Sequence, residues 1–303
     1  MSTKTKALVA LSATVIIGPL TSIVARTIVT EIPPFTVFFF RMLIASCLFF
    51  PLILKSKPWQ KKYFPRLVKT SIIASINFAF FIWGIQYTSA NTSQLIYGLT
   101  PLTILLFSHL VFKQAHPKRK YVGVIIGLSG ILYILYRSSI EKGTTISGSI
   151  PGNIAVLIAM ATYALYLIQS KALTNYFSIL EIGGLSILVS LIVSIPLFIV
   201  EILNQQSMHL TIHGLLELLY LGTFSTFIMY TLYQYSVRHL TSLTVGLSTY
   251  FTPISTAILA GVLIHERLTS HFLLGAGLVF LGIFISSTLE FHHRRKSMDT
   301  MGS

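Results

Sequence analysis

Acidic side chains are almost missing from this chain. Eight Asp and Glu stand against 22 Lys and Arg in 303 residues, and only 10% of all residues are charged. A soluble domain averages about 25% charged residues, so most of this polypeptide avoids water. The shortage also limits chemistry. Glu31, Glu141, Glu181, Glu201, Glu217, Glu266, Glu290 and Asp299 are the whole supply, and most fall at the ends of apolar segments. Cysteine is scarcer still. Cys47 stands alone inside an apolar stretch, so it forms no internal disulfide and says nothing about redox compartment. Also missing are a Walker A sequence, a Cys/His metal cluster and a Ser/His/Asp set in recognisable context. His265-Glu266 lacks the second histidine of a zinc-protease motif, because position 269 is threonine. No metal, cofactor or catalytic residue is expected.

Apolar sequence fills the space that charge leaves. Hydrophobic residues make up 53% of the chain, and the mean hydropathy is +0.78. Segments of about 20 apolar residues, the length of a membrane-crossing helix, occur ten times. They lie near 7–28, 34–54, 67–87, 90–112, 120–137, 150–170, 180–202, 213–235, 242–264 and 271–290. The expected fold is an all-α integral membrane protein. The stretch from Met1 to Lys6 leads directly into the first segment, which reads as a retained span and not as a cleaved signal peptide. A net charge of +14 could suggest nucleic acid, but the basic residues sit in short turns between apolar segments. That is the positive-inside pattern, not a basic face with aromatic stackers.

Residues 84–135 and 236–287 align without a gap at an offset of 152. Only seven of the 52 pairs are identical, but the punctuation coincides. Thr100-Pro101 falls on Thr252-Pro253, Gly123 on Gly275, and Gly130-Ile131 on Gly282-Ile283. Paired Pro-interrupted segments in corresponding halves point to a secondary carrier built from inverted repeats. Loop charge gives the same answer independently. With the N-terminus inside, 17 Lys and Arg lie in cytoplasmic turns and four (Arg26, Arg137, Lys142, Arg267) outside. Both termini are therefore expected in the cytoplasm. Five spans per half is an odd number, so the second half enters the membrane upside down. The halves are expected at 1–144 and 145–303, joined by the Gly- and Thr-rich stretch 141–148.

The chain resembles the drug/metabolite transporter superfamily, in its ten-span group of paired EamA domains. The resemblance rests on Ile85-Gln86-Tyr87-Thr88-Ser89-Ala90 closing span three, Leu99-Thr100-Pro101-Leu102 in span four and Phe251-Thr252-Pro253-Ile254 in span nine. His265-Glu266-Arg267 and the glycines of spans five and ten complete it. It covers nearly the whole chain, and order and spacing make it specific. It implies an inner-membrane carrier of amino acids, related metabolites or drugs, with a substrate cavity between the halves open to one side at a time. One departure is Gln114, the first-half counterpart of Glu266, where the family often carries Glu.

Residues able to do the work are few. Glu217, about one turn into span eight, and His109, near the end of span four, are the only approximate candidates for a proton relay. Each also reads blandly, Glu217 as an acid snorkelling to the interface and His109 as an interfacial or core histidine. Arg41 lies seven residues past Pro34, about 10 Å into span two, where an arginine costs roughly 2.5–3.5 kcal/mol. An anionic substrate group, a half-helix carbonyl end, or a lipid phosphate reached by snorkelling would each answer that cost.

Polar and aromatic residues at helical spacing mark the cavity. Gln94, Tyr97 and Pro101 share one face of span four, and Thr249 is the repeat mate of Tyr97. Tyr163 and Tyr166 line up on span six, Tyr230 on span eight, and span three adds Asn77 and Trp83. The expected substrate set is Asn77, Trp83, Gln94, Tyr97, Tyr163, Tyr166, Tyr230 and Thr249. Gly18-Pro19, Pro101 and Pro253 are expected to break their helices. The carbonyls freed at Tyr97 and Thr249 would accept from a substrate amine. The bland alternative is that these groups only bond neighbouring helices.

Gly123 to Gly127 form a G-x-x-x-G that suits packing within the fold more than dimerisation, so a monomer or weak dimer is expected. The partners are a small-molecule substrate and membrane lipid, without nucleic acid. An exporter or exchanger of small metabolites competes with an uptake or exchange carrier for a larger one, such as a nucleoside or an S-adenosylmethionine-like compound. An intramembrane enzyme would need acids or histidines at depth, and a channel would need repeated pore-lining rings. Neither is visible.

Overall fold

The computed structural model describes residues 2–110, 113, 118–140, 148–204, 211–240, 242–266, 268–282 and 284–285, with the backbone alone for 118–120, 135, 138–140, 234, 237–238 and 242–251. Among them no strand occurs. The helices are α1 (Thr3–Ile28), α2 (Pro34–Ser56), α3 (Phe64–Ile85), α4 (Ala90–Gly98), α5 (Thr100–Leu110), α6 (Lys118–Ile140), α7 (Ile150–Leu173) and α8 (Ile179–Leu203). α9 (Ile212–Tyr220) continues through a π-helical segment (Leu221–Ile228) into α10 (Met229–His239), followed by α11 (Ser242–Leu263) and α12 (Ser270–Gly282). With α4–α5 and α9–α10 each counted as one, they form ten spans. Seven are long and apolar enough to cross a bilayer, and α6, α11 and α12 carry the further apolar stretches Tyr121–Ile134, Thr252–Leu263 and Ser270–Gly282. This is an all-α integral membrane protein.

Helices are dictated by the solvent, because lipid offers no partner for a free backbone N–H or C=O. Their starts are written locally. Ser89, Ser149 and Thr211 accept from the backbone N–H of Thr92, Gly152 and Gly214, and Ser178 forms a capping box with Glu181. Each such cap contributes about 1 kcal/mol. α2 has no side-chain cap of its own. Instead the buried Glu201 carboxylate, from the last turn of α8, accepts from the backbone N–H of Phe35 (3.0 Å) and Thr36 (2.7 Å). A carboxylate at a helix N-terminus also meets the positive end of the dipole.

Packing obeys a two-fold relation between the halves. α3 on α7 is matched by α10 on α1, and α3 on α8 by the π segment on α2. α4 and α5 on α7 correspond to α11 on α1, while α2·α8 and α4·α11 each map onto themselves. The glycines show the relation atom by atom. A Cβ on Gly130 would lie 2.6 Å from the Gly275 carbonyl oxygen, and one on Gly282 would lie 2.5 Å from that of Gly123. These two contacts are exchanged when each residue is replaced by its repeat mate. Small residues let backbones approach where lipid supplies no hydrophobic drive between helices. The G-x-x-x-G of α6 therefore packs on α12 within one chain. The turns repeat as well. Lys113 and His265, again 152 apart, both hold left-handed φ, 52° and 53°, as helix ends often do.

Two expectations about helix breaks are corrected. Only Pro101 interrupts its span; Pro19 and Pro253 lie inside helices that continue past them. A proline removes one backbone bond, and neighbouring helices hold the flanking turns in place. At Gly18 a Cβ would make ordinary contacts, 3.5 Å from Met229 Cε and 3.8 Å from Thr252 Cγ2. The unexpected irregularity is the π segment in span eight, which no proline announces.

Candidate functional site

The mid-span polar residues of α3, α4 and α7 meet where the halves face each other. Asn77 of α3 is buried, and its Nδ2 donates to the Tyr97 hydroxyl (2.6 Å) and to the Ala159 carbonyl (2.7 Å). The Tyr97 ring stands edge-on to Phe81 at 5.6 Å and lies 5.8 Å from Tyr163. Tyr97 and Tyr163 each keep part of their surface accessible. One face is therefore aromatic, with hydroxyl and amide groups set into it.

A second group sits one turn further along α7. The Tyr166 and Tyr230 hydroxyls bond to each other, and Ser186 Oγ donates to Tyr166 at 3.4 Å. Gly183 of α8 lies directly under the Tyr230 ring, with no room for a Cβ. Between α3 and α8 run two hydroxyl pairs, Ser71–Ser186 (3.3 Å) and Ser75–Ser190 (2.9 Å). Their i, i+4 spacing on both helices keeps them on facing sides.

Arg41 occupies the third corner. It is 6% exposed, and its side chain turns into the bundle. Nε donates to Thr226 Oγ1 (2.8 Å), Nη2 to Ser225 Oγ (3.1 Å), and the guanidinium lies 5.5 Å from the Phe78 ring centre. Both hydroxyls belong to the π segment. Such single-turn irregularities frequently mark functional sites. Thr226 Oγ1 also donates to the Leu221 carbonyl five residues back, at 2.7 Å. Thr21 of α1 donates to Ser225 Oγ at 2.8 Å. Phe78, the ring beside the guanidinium, packs with Tyr97 and Tyr220 against one buried cluster that includes Phe38, Met42, Phe81 and Leu221. Snorkelling to a lipid phosphate is therefore not what holds Arg41. Nor is a half-helix carbonyl, because its partners are hydroxyls. Among the described residues no carboxylate lies within ion-pair distance of it.

Other expected residues lie apart. Trp83 packs on Tyr87 at 5.3 Å, toward the end of α3 and away from Asn77. Gln94 Nε2 donates to Ser22 Oγ, tying α4 to α1 within the first half. The side chain of Thr249 lies outside the described residues. The Tyr97 carbonyl, expected to be free for a substrate amine, accepts instead from Thr100 Oγ1 at 2.6 Å. The residue before the proline thus caps the break that the proline makes. Glu217 does not snorkel. It is buried, accepts from Thr27 Oγ1, and lies 3.3 Å from His213 Nε2. His109 is exposed near the end of α5, with its ring 5.1 Å from Tyr121.

Sequence reasoning did not single out Ser225, Thr226 or Phe78. The available signal was the hydroxyl run Thr223-Phe224-Ser225-Thr226 inside an apolar span, which has no lipid-facing purpose.

Comparison with known proteins settles the family. The EamA-like transporter family matches residues 4–136 and again 150–288. The chain belongs to the EamA-like transporter family. This EamA-like protein is 25% identical over 290 residues to the uncharacterized transporter YetK of Bacillus subtilis, covering 92% of this chain and 86% of that one. It is 25% identical over 255 residues to an uncharacterized transporter of Archaeoglobus fulgidus, covering 83% and 88%. A WAT1-related chloroplastic protein of Arabidopsis thaliana is 23% identical over 287 residues, covering 90% of this chain and 68% of its own. One solved crystal structure superposes with a TM-score of 0.65 at 16% identity, covering 94% of this chain and 97% of the other. That likeness concerns the fold. The EamA-like chain is a membrane transporter.

Proposed function

We propose that this transporter is a secondary-active or facilitative carrier that moves small metabolites across the cell inner membrane by alternating access. Export or exchange is the favoured direction, with amino acids, related compounds or drugs as cargo and both termini in the cytoplasm. The two halves, 1–144 and 145–303, rock about the interface that holds the site. The observation that carries the reading is the cluster of Asn77, Tyr97 and Tyr163 at mid-span, where the two-fold-related halves meet. Inverted-repeat carriers bind near the bilayer midplane at the repeat interface, where polar groups orient a substrate and rings supply apolar contact. Purified protein in proteoliposomes, loaded with one amino acid and exposed to a labelled one, should show counterflow above empty vesicles. A channel would instead show uptake that a trans load does not accelerate. No flux of any metabolite or drug in a broad panel would reject the carrier.

A further inference from the structure

Arg41 is a buried cation with no counter-charge among the described residues. The structure places no described carboxylate beside it, and its two hydroxyl partners are neutral. A guanidinium has five N–H donors in a planar fork. Ser225 and Thr226 take one each, so three N–H groups have no protein acceptor among the described residues. Tyr97 adds another donor. Its oxygen accepts from Asn77, and its own O–H proton has no described acceptor. The immediate surroundings therefore offer donors and one positive charge, beside the aromatic faces of Phe78, Phe81 and Tyr163.

Scaffold alone does not require the charge. α2 and α8 each carry an internal proline, Pro51 and Pro196, at corresponding depth. Aligned on those prolines, the position of Arg41 in the second half is Ser186, which makes neutral bonds to Ser71 and Tyr166. The same helix position is thus built once with a cation and once without. An uncompensated buried charge is costly unless something of opposite sign pairs with it.

We propose that the free edge of Arg41, with the Tyr97 hydroxyl, binds the carboxylate of an organic monoanion whose apolar or aromatic body lies against Phe81 and Tyr163. The proposal rests on the carrier reading and supplies its substrate class. A single guanidinium balances one negative charge, so a dianionic phosphate would leave a buried excess. A planar carboxylate matches the guanidinium fork in two parallel hydrogen bonds. At 6% exposure and with its side chain turned inward, Arg41 is out of reach of a lipid headgroup.

Three probes of one shape test the idea: 3-phenylpropanoate, its neutral amide, and phenethylammonium. Binding to the full-length detergent-solubilised protein is followed by thermal shift and calorimetry. The acid should bind at least about tenfold tighter than the amide, as a charge-assisted pair would give, and the ammonium should bind weakest. Arg41→Gln should erase the acid–amide difference. Tyr97→Phe should narrow it. If Arg41→Gln does not fold, Arg41→Lys keeps the charge, loses the fork, and should reduce the preference without abolishing it. Equal binding of acid and amide overturns the proposal. So does an acid preference that survives Arg41→Gln, or no acid binding up to about 10 mM, a range that still registers millimolar ligands. Counterflow of neutral or cationic cargo without acid preference would reject this site and keep the carrier. Acid binding without any flux would do the reverse.

Discussion

A single atom decides whether some residues of this protein can be changed. Gly130 and Gly277 are both helical glycines in lipid-embedded spans. A Cβ on Gly130 would meet the Gly275 carbonyl oxygen at 2.6 Å, whereas one on Gly277 meets nothing within 4 Å. Backbone cannot rotate away as a side chain can. Gly130→Ala should therefore lower the unfolding midpoint in detergent by an overpacking cost of about 1–3 kcal/mol. Gly277→Ala should be neutral or slightly stabilising, because alanine is the better helix former. Equal midpoints for the two variants would contradict the close α6–α12 crossing. At the site, Tyr163 lies 5.8 Å from Tyr97, and both keep partial access. Tyr163→Trp should crowd the accessible side of this ring pair and stop counterflow with expression retained. Undiminished flux in this variant would move the path elsewhere. Tyr97 and Tyr163 were legible because helical spacing groups each with polar or aromatic residues on one face of its own span, and Asn77 because it is an amide inside an apolar one. Trp83 had the same chemistry on a face that the structure turns toward Tyr87 instead.

Elements differ where their sequences look alike. Thr100-Pro101 and Thr252-Pro253 occupy matching places in the two halves, yet only the first interrupts its span. Thr100 Oγ1 donates to the Tyr97 carbonyl and so stabilises the broken form. In α11 the helix runs through Pro253, and the proline ring packs against the bend: a Cβ on Gly98 would come within 3.6 Å of Pro253 Cγ. Pro101→Ala should permit a straighter α4–α5 segment and slow counterflow several-fold. Pro253→Ala restores one backbone bond in an already continuous helix and should change the rate less. Single-turnover efflux from loaded vesicles would compare them, and a larger effect from Pro253→Ala would reverse the assignment. The π segment is the opposite case. Leu221–Ile228 contains no proline, only Gly222 and three hydroxyl residues that disfavour an α-helix weakly, and its widened turn aligns Ser225 and Thr226 with Arg41 from another span.

At the scale of the whole molecule, an odd number of spans per half makes the two halves antiparallel. The testable consequence is sidedness. Cys47 is the lone cysteine, so Cys47→Ala gives a clean background for labelling. A cysteine introduced between Lys55 and Arg66 should react with an impermeant maleimide only from the cytoplasm, and one between Gly143 and Gly148 only from outside. Reaction of both from one side would overturn the five-plus-five arrangement. The loop charges predict this orientation because Lys and Arg near span ends resist translocation.

The sequence by itself determined the solvent, the helices and the symmetry. Those follow from composition, segment length and repeated punctuation, all of which act locally or between aligned positions along the chain. Tertiary structure decided which prolines break a helix, where the π segment forms, and that Arg41 faces two hydroxyls and no acid. Each of these depends on which atoms a neighbouring span brings within about 3 Å, the reach of a hydrogen bond. Hydrophobic periodicity carries no such information, because lipid and a packed helix look equally apolar to a leucine.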